Sequence, residues 1–256
     1  MRRSRTLQLI QPDWPCPPNV KAVISTRRGG VSSGAYASGN LGDHVGDDPA
    51  LVLANRQQLA KQTGVPNWPW LQQVHGTDLV QFDESLREGS PADGVYTSAP
   101  GRACAVLTAD CLPVLLCNDS GTQVAAVHAG WKGLAAGILN KSVEAFADKP
   151  GSLMAFLGPA IGPEHFEVGA DVYTAFAGLF GRMEVGDDWQ SAFVPASRPG
   201  HYLADLYGLA RSVFSRLGVE RVYGGNYCTF ADQDSFYSYR RDGVTGRMVS
   251  AIWLES

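Results

Sequence analysis

Between residues 102 and 158 the chain repeats one pattern, a short apolar run followed by a turn. Ala103–Leu107, Leu112–Cys117, Thr122–Val127 and Leu153–Leu157 are each five or six residues long and rich in Val, Leu and Ala. Thr108–Asp110, Asn118–Gly121 and Gly130–Gly133 punctuate them. Runs this short that are almost wholly apolar, without polar alternation, read as strands covered on both faces. The chain must therefore build sheets that lie inside other layers.

The flanking segments supply those layers. Val20–Thr26 reads as another buried strand and runs into RRGGVSSGAYASGNLG, a Gly/Ser-rich loop. Asp48 followed by Pro49 predicts a capped helix running to Gly64. Leu71–Val74 and Leu79–Phe82 read as short strands, or one bent strand. A helix is expected over Leu134–Ala147. Leu206, Leu209, Ala210, Val213, Phe214 and Leu217 recur with helical spacing before Gly218, which predicts an amphipathic helix with a glycine stop. Val222–Gly224 and Arg247–Trp253 read as the last strands. No linker, repeat or low-complexity tract divides the chain. The expected fold is α+β: a single layered domain over 1–256 of mixed β-sheets covered by helices, with residues 1–19 an irregular N-terminal extension.

Charge narrows the partners. A formal net charge of −4 argues against nucleic-acid binding, and the RRSR cluster near the N-terminus reads as a solvated tail. No apolar stretch approaches the roughly 18 residues of a membrane span, and polar Gln8, Gln11 and Asp13 interrupt any signal-like run. A cytoplasmic protein, monomeric or homodimeric, is expected. Five cysteines, an odd number without paired short spacing, argue against a disulfide framework. Cys104 and Cys117 fall inside apolar runs and read as core residues.

Chemistry concentrates where apolar runs meet polar turns. Cys111 follows Thr108-Ala109-Asp110 at a strand start, His128 ends a strand before Ala129-Gly130-Trp131-Lys132-Gly133, and His75 stands in LQQVHGTD. Cys111 reads equally as a buried core residue, a metal thiolate or a nucleophile. Two imidazoles and one thiolate would make a three-ligand zinc set with an open fourth position, the arrangement of a catalytic rather than a structural site. Small residues after His128 permit close approach, and a helix start near Gly133 with Lys132 could seat an anion. Arg27, Arg28, Arg240 and Arg241 are oxyanion candidates; for Arg28 and Arg241 surface salt bridges are the better reading. The run Phe236-Tyr237-Ser238-Tyr239 could stack on a planar ligand or pack the core. His44, among Asp43, Asp47 and Asp48, reads as a loop hydrogen-bonding residue, and no role is assigned to His165 or His201.

The segments QVHG, TADCLPVLL, VAAVHAGWKG, LGPAIGPEHFEVG and FYSYRRDGVTGRM resemble the YfiH laccase-domain proteins, a family named for multicopper polyphenol oxidases that includes bacterial purine nucleoside phosphorylases. The resemblance runs from about Val23 to Trp253. It departs at Lys132, where the family often has Arg, and at Ala92-Asp93-Gly94, where Ala-Asp-Ala is frequent. It implies a zinc ion on His75, Cys111 and His128. It also implies phosphorolysis of adenosine, inosine and 5′-methylthioadenosine to base and ribose 1-phosphate, with adenosine deamination as a side activity. Cys111, His128 and Asp110 are then the catalytic candidates, Asp110 as the carboxylate nearest in sequence for proton shuttling. Arg27, Gln73, Lys132, Tyr239 and Arg240 are the candidates for binding nucleoside and phosphate.

Three alternatives stand beside this reading. A copper polyphenol oxidase would need further histidines, whereas the five present form no His-X-His pairs; copper is the less favoured metal. A zinc- or cysteine-dependent amide hydrolase, for example acting on a cell-wall precursor, would use Cys111 as nucleophile and His128 as base. A zinc-stabilised binding module would unfold without metal, which a core of this size argues against.

Overall fold

The computed structural model describes residues 6–183 and 187–255. The RRSR tail lies outside the described residues. Two sheets pack face to face. The larger runs, in spatial order, Arg221–Gly224, Leu153–Leu157, Leu112–Asn118, Val124–Ala129, Gly94–Thr97 and Leu79–Gln81. The smaller runs Leu9–Ile10, Val20–Ser25, Met248–Leu254 and Cys104–Thr108. A third small sheet, Phe193–Pro195, His201–Ala204 and Glu167–Gly169, sits to the side.

Side-chain alternation explains why the central runs are apolar throughout. On Leu112–Asn118, Leu112, Val114 and Leu116 face the helices, joining Leu134, Ile138, Phe176, Leu209, Val213 and Phe214 in one core. Leu115 and Cys117 of the same strand enter a second core between the two sheets, with Val106, Ile24, Phe156 and Ile252. On the smaller sheet, Ala105, Leu107, Val249 and Ala251 turn outward and pack under Leu59 of the helix Pro49–Thr63. Both sheets are therefore covered twice, and the layer order is helix, sheet, sheet, helices. The expected α+β layered fold is what the chain forms.

Helix boundaries follow their caps. Asp48 accepts from Ala50 N at 2.9 Å and Gly64 closes the helix at φ 72°, a cap contributing about 1 kcal/mol. Asp205 caps Leu206–Leu217 in the same way, and Gly218 ends it at φ 79°.

Three expectations are corrected. The helix over Leu134–Ala147 starts earlier and is two helices, Trp131–Ala136 and Ile138–Glu144, split by Gly137 at φ 98°, a left-handed backbone that glycine adopts without a Cβ clash. Leu71–Val74 forms no strand; its one bridge pairs Gln72 with Pro91, and proline has no N–H to extend a ladder. The stretch 1–19 is tied in where described: Leu9–Ile10 pairs with Val20–Ser25, and Leu7 and Trp14 are buried.

Candidate metal centre

Strand register assembles the site. In the larger sheet Leu112 lies opposite Ala129 and Pro113 opposite His128. Cys111, one residue before Leu112, therefore comes level with Gly130. On the other side of Val124–Ala129, Gly94 pairs with Val127, and His128 N donates to Asp93 O at 2.7 Å. Three neighbouring strand ends thus deliver Cys111, His128 and Asp93 to one rim. Cys111 stands where the chain crosses from the smaller sheet to the larger, through a turn in which Asp110 takes φ 91°.

His75 arrives on a loop, and Asp93 holds that loop. The fully buried Asp93 carboxylate accepts backbone N–H groups of Val74 (3.2 Å), His75 (2.9 Å) and Gly76 (2.6 Å). This nest of donors allows His75 its left-handed backbone, φ 59°. The same carboxylate lies 2.8 Å from Nδ1 of His128, leaving Nε2 to face the rim. Burial would raise the Asp93 carboxyl, but the bonds from His128, Gly76 and His75 hold it below its ordinary value.

The ligand atoms of His75, Cys111 and His128 all lie within 4.8 Å of one another, and Cys111 Sγ is 3.9 Å from His75 Nε2. Zinc bonds of about 2.3 Å to sulfur and 2.0 Å to nitrogen place tetrahedral ligand atoms about 3.3–3.5 Å apart, so the set must contract by up to about 1.5 Å to close on one ion. Gly130 keeps the space clear. A Cβ there would lie 3.1 Å from Cys111 Sγ, 3.3 Å from His75 Cδ2 and 3.5 Å from His128 Cε1. A thiolate, two imidazoles and a carboxylate on the second nitrogen of one of them fit a soft-to-borderline divalent ion such as zinc.

Without metal the same residues form a polarised pair. Burial pushes the Cys111 thiol up, but the charge and hydrogen bonds of His128 and His75 outweigh it and bring it down to about 6. Burial pulls the His128 imidazole down, but Cys111 and Asp93 outweigh that and raise it to about 9.

The other sequence candidates fall in different places. Asp110 accepts Thr229 Oγ1 at 2.6 Å and Arg240 N at 2.7 Å, so it braces the turn before Cys111. Gln73 spends its amide on the backbone of Leu107, accepting at 2.7 Å and donating at 2.8 Å. Arg27 donates to Gln233 O and Ala37 O and stacks 4.8 Å over Tyr237. Arg240 donates to Glu167 O. Lys132 is exposed, 5.7 Å from the Trp131 ring, on a helix too short to act as the anion seat expected near Gly133. Phe236 and Tyr237 are core residues, whereas Tyr239 is 61% exposed. Arg28 and Arg241 make the expected salt bridges, with Asp234 and Asp242. His44 bonds Asp43 in its loop.

Sequence reasoning missed two residues. Asp93 was visible only as part of an Ala-Asp-Gly triplet in the family resemblance. Arg247, in GVTGRM, is half-buried and within electrostatic reach of Cys111. Burial lowers its guanidinium from the ordinary value, while Cys111 and Asp110 pull the other way.

A family model described as "Multi-copper polyphenol oxidoreductase laccase" matches residues 21–255. The chain is 50% identical to a Shigella flexneri protein named purine nucleoside phosphorylase YfiH, over 96% of this chain and 99% of that one. It is 49% identical to the protein of the same name from Escherichia coli K12, with the same coverage. Among solved structures, Neisseria meningitidis protein NMB0706 superposes with a TM-score of 0.89 at 48% identity, covering 97% of this chain and 99% of that one.

Proposed function

Because the chain belongs to the multi-copper polyphenol oxidoreductase laccase family, we propose that it is a zinc-dependent purine nucleoside phosphorylase. It would split adenosine, inosine or 5′-methylthioadenosine with phosphate into base and ribose 1-phosphate, with adenosine deamination as a side activity. The observation that carries this reading is the convergence of His75, Cys111 and His128 within 4.8 Å. The names of the Shigella and E. coli relatives support it from a second direction.

Bound zinc would supply Lewis acidity at its open coordination position. The chain's own residues do the rest. Asp93 fixes the His128 tautomer and the His75 loop, so the rim is set before substrate arrives. Phosphorolysis needs a cation near the attacking anion, and Lys132, two residues beyond Gly130, is the exposed cation nearest in the chain to the rim. Arg27 and Arg240 are the further anion candidates, and exposed Tyr239 offers a face for the purine.

A second reading has one specific observation behind it. A thiol lowered to about 6 beside an imidazole raised to about 9 also suits a cysteine-dependent amide hydrolase. The copper oxidase reading lacks the further histidines of a multicopper cluster, since the five histidines form no His-X-His pair. Incubation of the purified protein with inosine, with and without phosphate, separates these. Hypoxanthine formed only with phosphate establishes phosphorolysis. Absence of product in both tubes places the hydrolase first, and stoichiometric copper with a blue absorption band would restore the oxidase.

A further inference from the structure

A second sulfur–imidazole pair lies outside the metal rim. Cys228 Sγ is 3.6 Å from His165 Nδ1. Two backbone N–H groups also point at the sulfur, from Gly162 at 3.2 Å and from Ala231 at 3.4 Å. Gly162 has no Cβ to stop this approach; one would stand 3.1 Å from Sγ. His165 is held flat on Phe230, with ring centroids 4.6 Å apart. Both residues are half-buried and line an open cleft of about 270 Å³ with Glu164, Tyr207 and Asn226.

Cys16 provides the contrast. It is also half-buried, but its sulfur donates to Val20 O at 3.6 Å, and burial pushes its thiol up. A carbonyl acceptor favours the protonated thiol. Cys228 instead receives two N–H donors and faces an imidazole, so its sulfur is held in one orientation beside a group able to relay a proton. A cap for the turn that follows would need only the Ala231 bond.

We propose that Cys228, paired with His165, is a site of covalent modification by small soft electrophiles, hydroperoxides in particular. The Cys228 sulfur attacks the terminal, hydrogen-bearing oxygen of the hydroperoxide. The S–O bond forms as the O–O bond breaks, and the thiol proton passes by way of His165 to the departing alkoxide or hydroxide. Sulfur is oxidised by two electrons to the sulfenic acid, and the hydroperoxide is reduced to an alcohol or water.

The test uses metal-loaded, full-length protein. It is treated with iodoacetamide and, separately, with hydrogen peroxide plus a sulfenic-acid trap, and each cysteine is followed by peptide mass spectrometry. Cys228 is expected to react first, at least about tenfold faster than Cys16, and to carry the trapped sulfenic acid. His165→Gln should slow Cys228 several-fold while leaving Cys16 unchanged. Equal rates at Cys16 and Cys228 in the wild-type protein would overturn the proposal without reference to any variant. So would a Cys228 rate indifferent to His165→Gln in a protein that melts as a single cooperative unit.

Discussion

The Asp93 carboxylate lies 2.8 Å from Nδ1 of His128 while accepting the backbone N–H of His75. One buried side chain therefore fixes two of the three donors, one through its ring and one through its backbone. Asp93→Asn keeps the volume but removes the charge. It also places an NH₂ where at least one of the four N–H donors now points. Zinc affinity, measured by competition with a chelator, should fall about 10–100-fold, the usual cost of losing such a partner. Unchanged affinity would mean that the carboxylate serves only the loop.

Gly130 faces all three candidate ligands with ordinary backbone angles, φ −59° and ψ 155°. An alanine there meets no backbone strain, so any effect is steric. Gly130→Ala should reduce bound zinc, read by elemental analysis of dialysed protein. The metal-free form should lose no more than about 1 kcal/mol, the scale of a glycine-to-alanine change at a helix N-cap. A variant with full zinc content would show that the rim relaxes to admit a methyl group.

The pH behaviour of the chelated protein follows from opposed shifts. Cys111 is lowered from 9.0 to about 6, so its contribution is complete above 9.0 and lost as pH falls through about 6. His128 is raised from 6.5 to about 9, so its contribution is complete below 6.5 and lost as pH rises through about 9. Metal-free protein should therefore be most stable between those limits, and Cys111→Ser should flatten the dependence. Alkylation of Cys111 after chelation should show a midpoint near 6. Zinc uptake near neutrality should release about one proton, from His128, because its ring must be neutral to bind metal. Calorimetry in buffers of different ionisation enthalpy counts that proton, and a count of zero would contradict the assigned pair.

These residues show what the chain reveals of itself and what it hides. The strand Leu112–Asn118 was legible because both of its faces are buried, which makes its composition unmistakable. His75, Cys111 and His128 were legible because each closes or opens an apolar run. Asp110 was singled out for nearness in sequence, which says nothing of its hydrogen-bond partners. Its oxygens reach Thr229 and Arg240, over a hundred positions away. Asp93 escaped for the converse reason. Its importance lies in long-range bonds to 74–76 and 128, and no local pattern records them. Gly137 could have warned of the broken helix, but a lone glycine is often tolerated within one.

The basic residues divide into anchors and exposed cations, and kinetics should separate them. Arg241 gives its guanidinium to the carbonyls of Thr229, Phe230 and Phe236, at 2.8, 2.9 and 3.0 Å. Arg241→Ala leaves those carbonyls short of donors and should lower stability by about 1–3 kcal/mol, read as a fall in Tm. Lys132 is exposed on the short helix after Gly130. Lys132→Ala should leave Tm nearly unchanged and raise KM for phosphate several-fold with little change in kcat, the signature of lost binding shared by ground and transition states. If Lys132→Ala leaves phosphate kinetics intact, the anion is held elsewhere, and Arg247→Lys becomes the informative variant. That change keeps the charge near Cys111 but removes the planar fork that now donates to Thr245 O and Gly246 O.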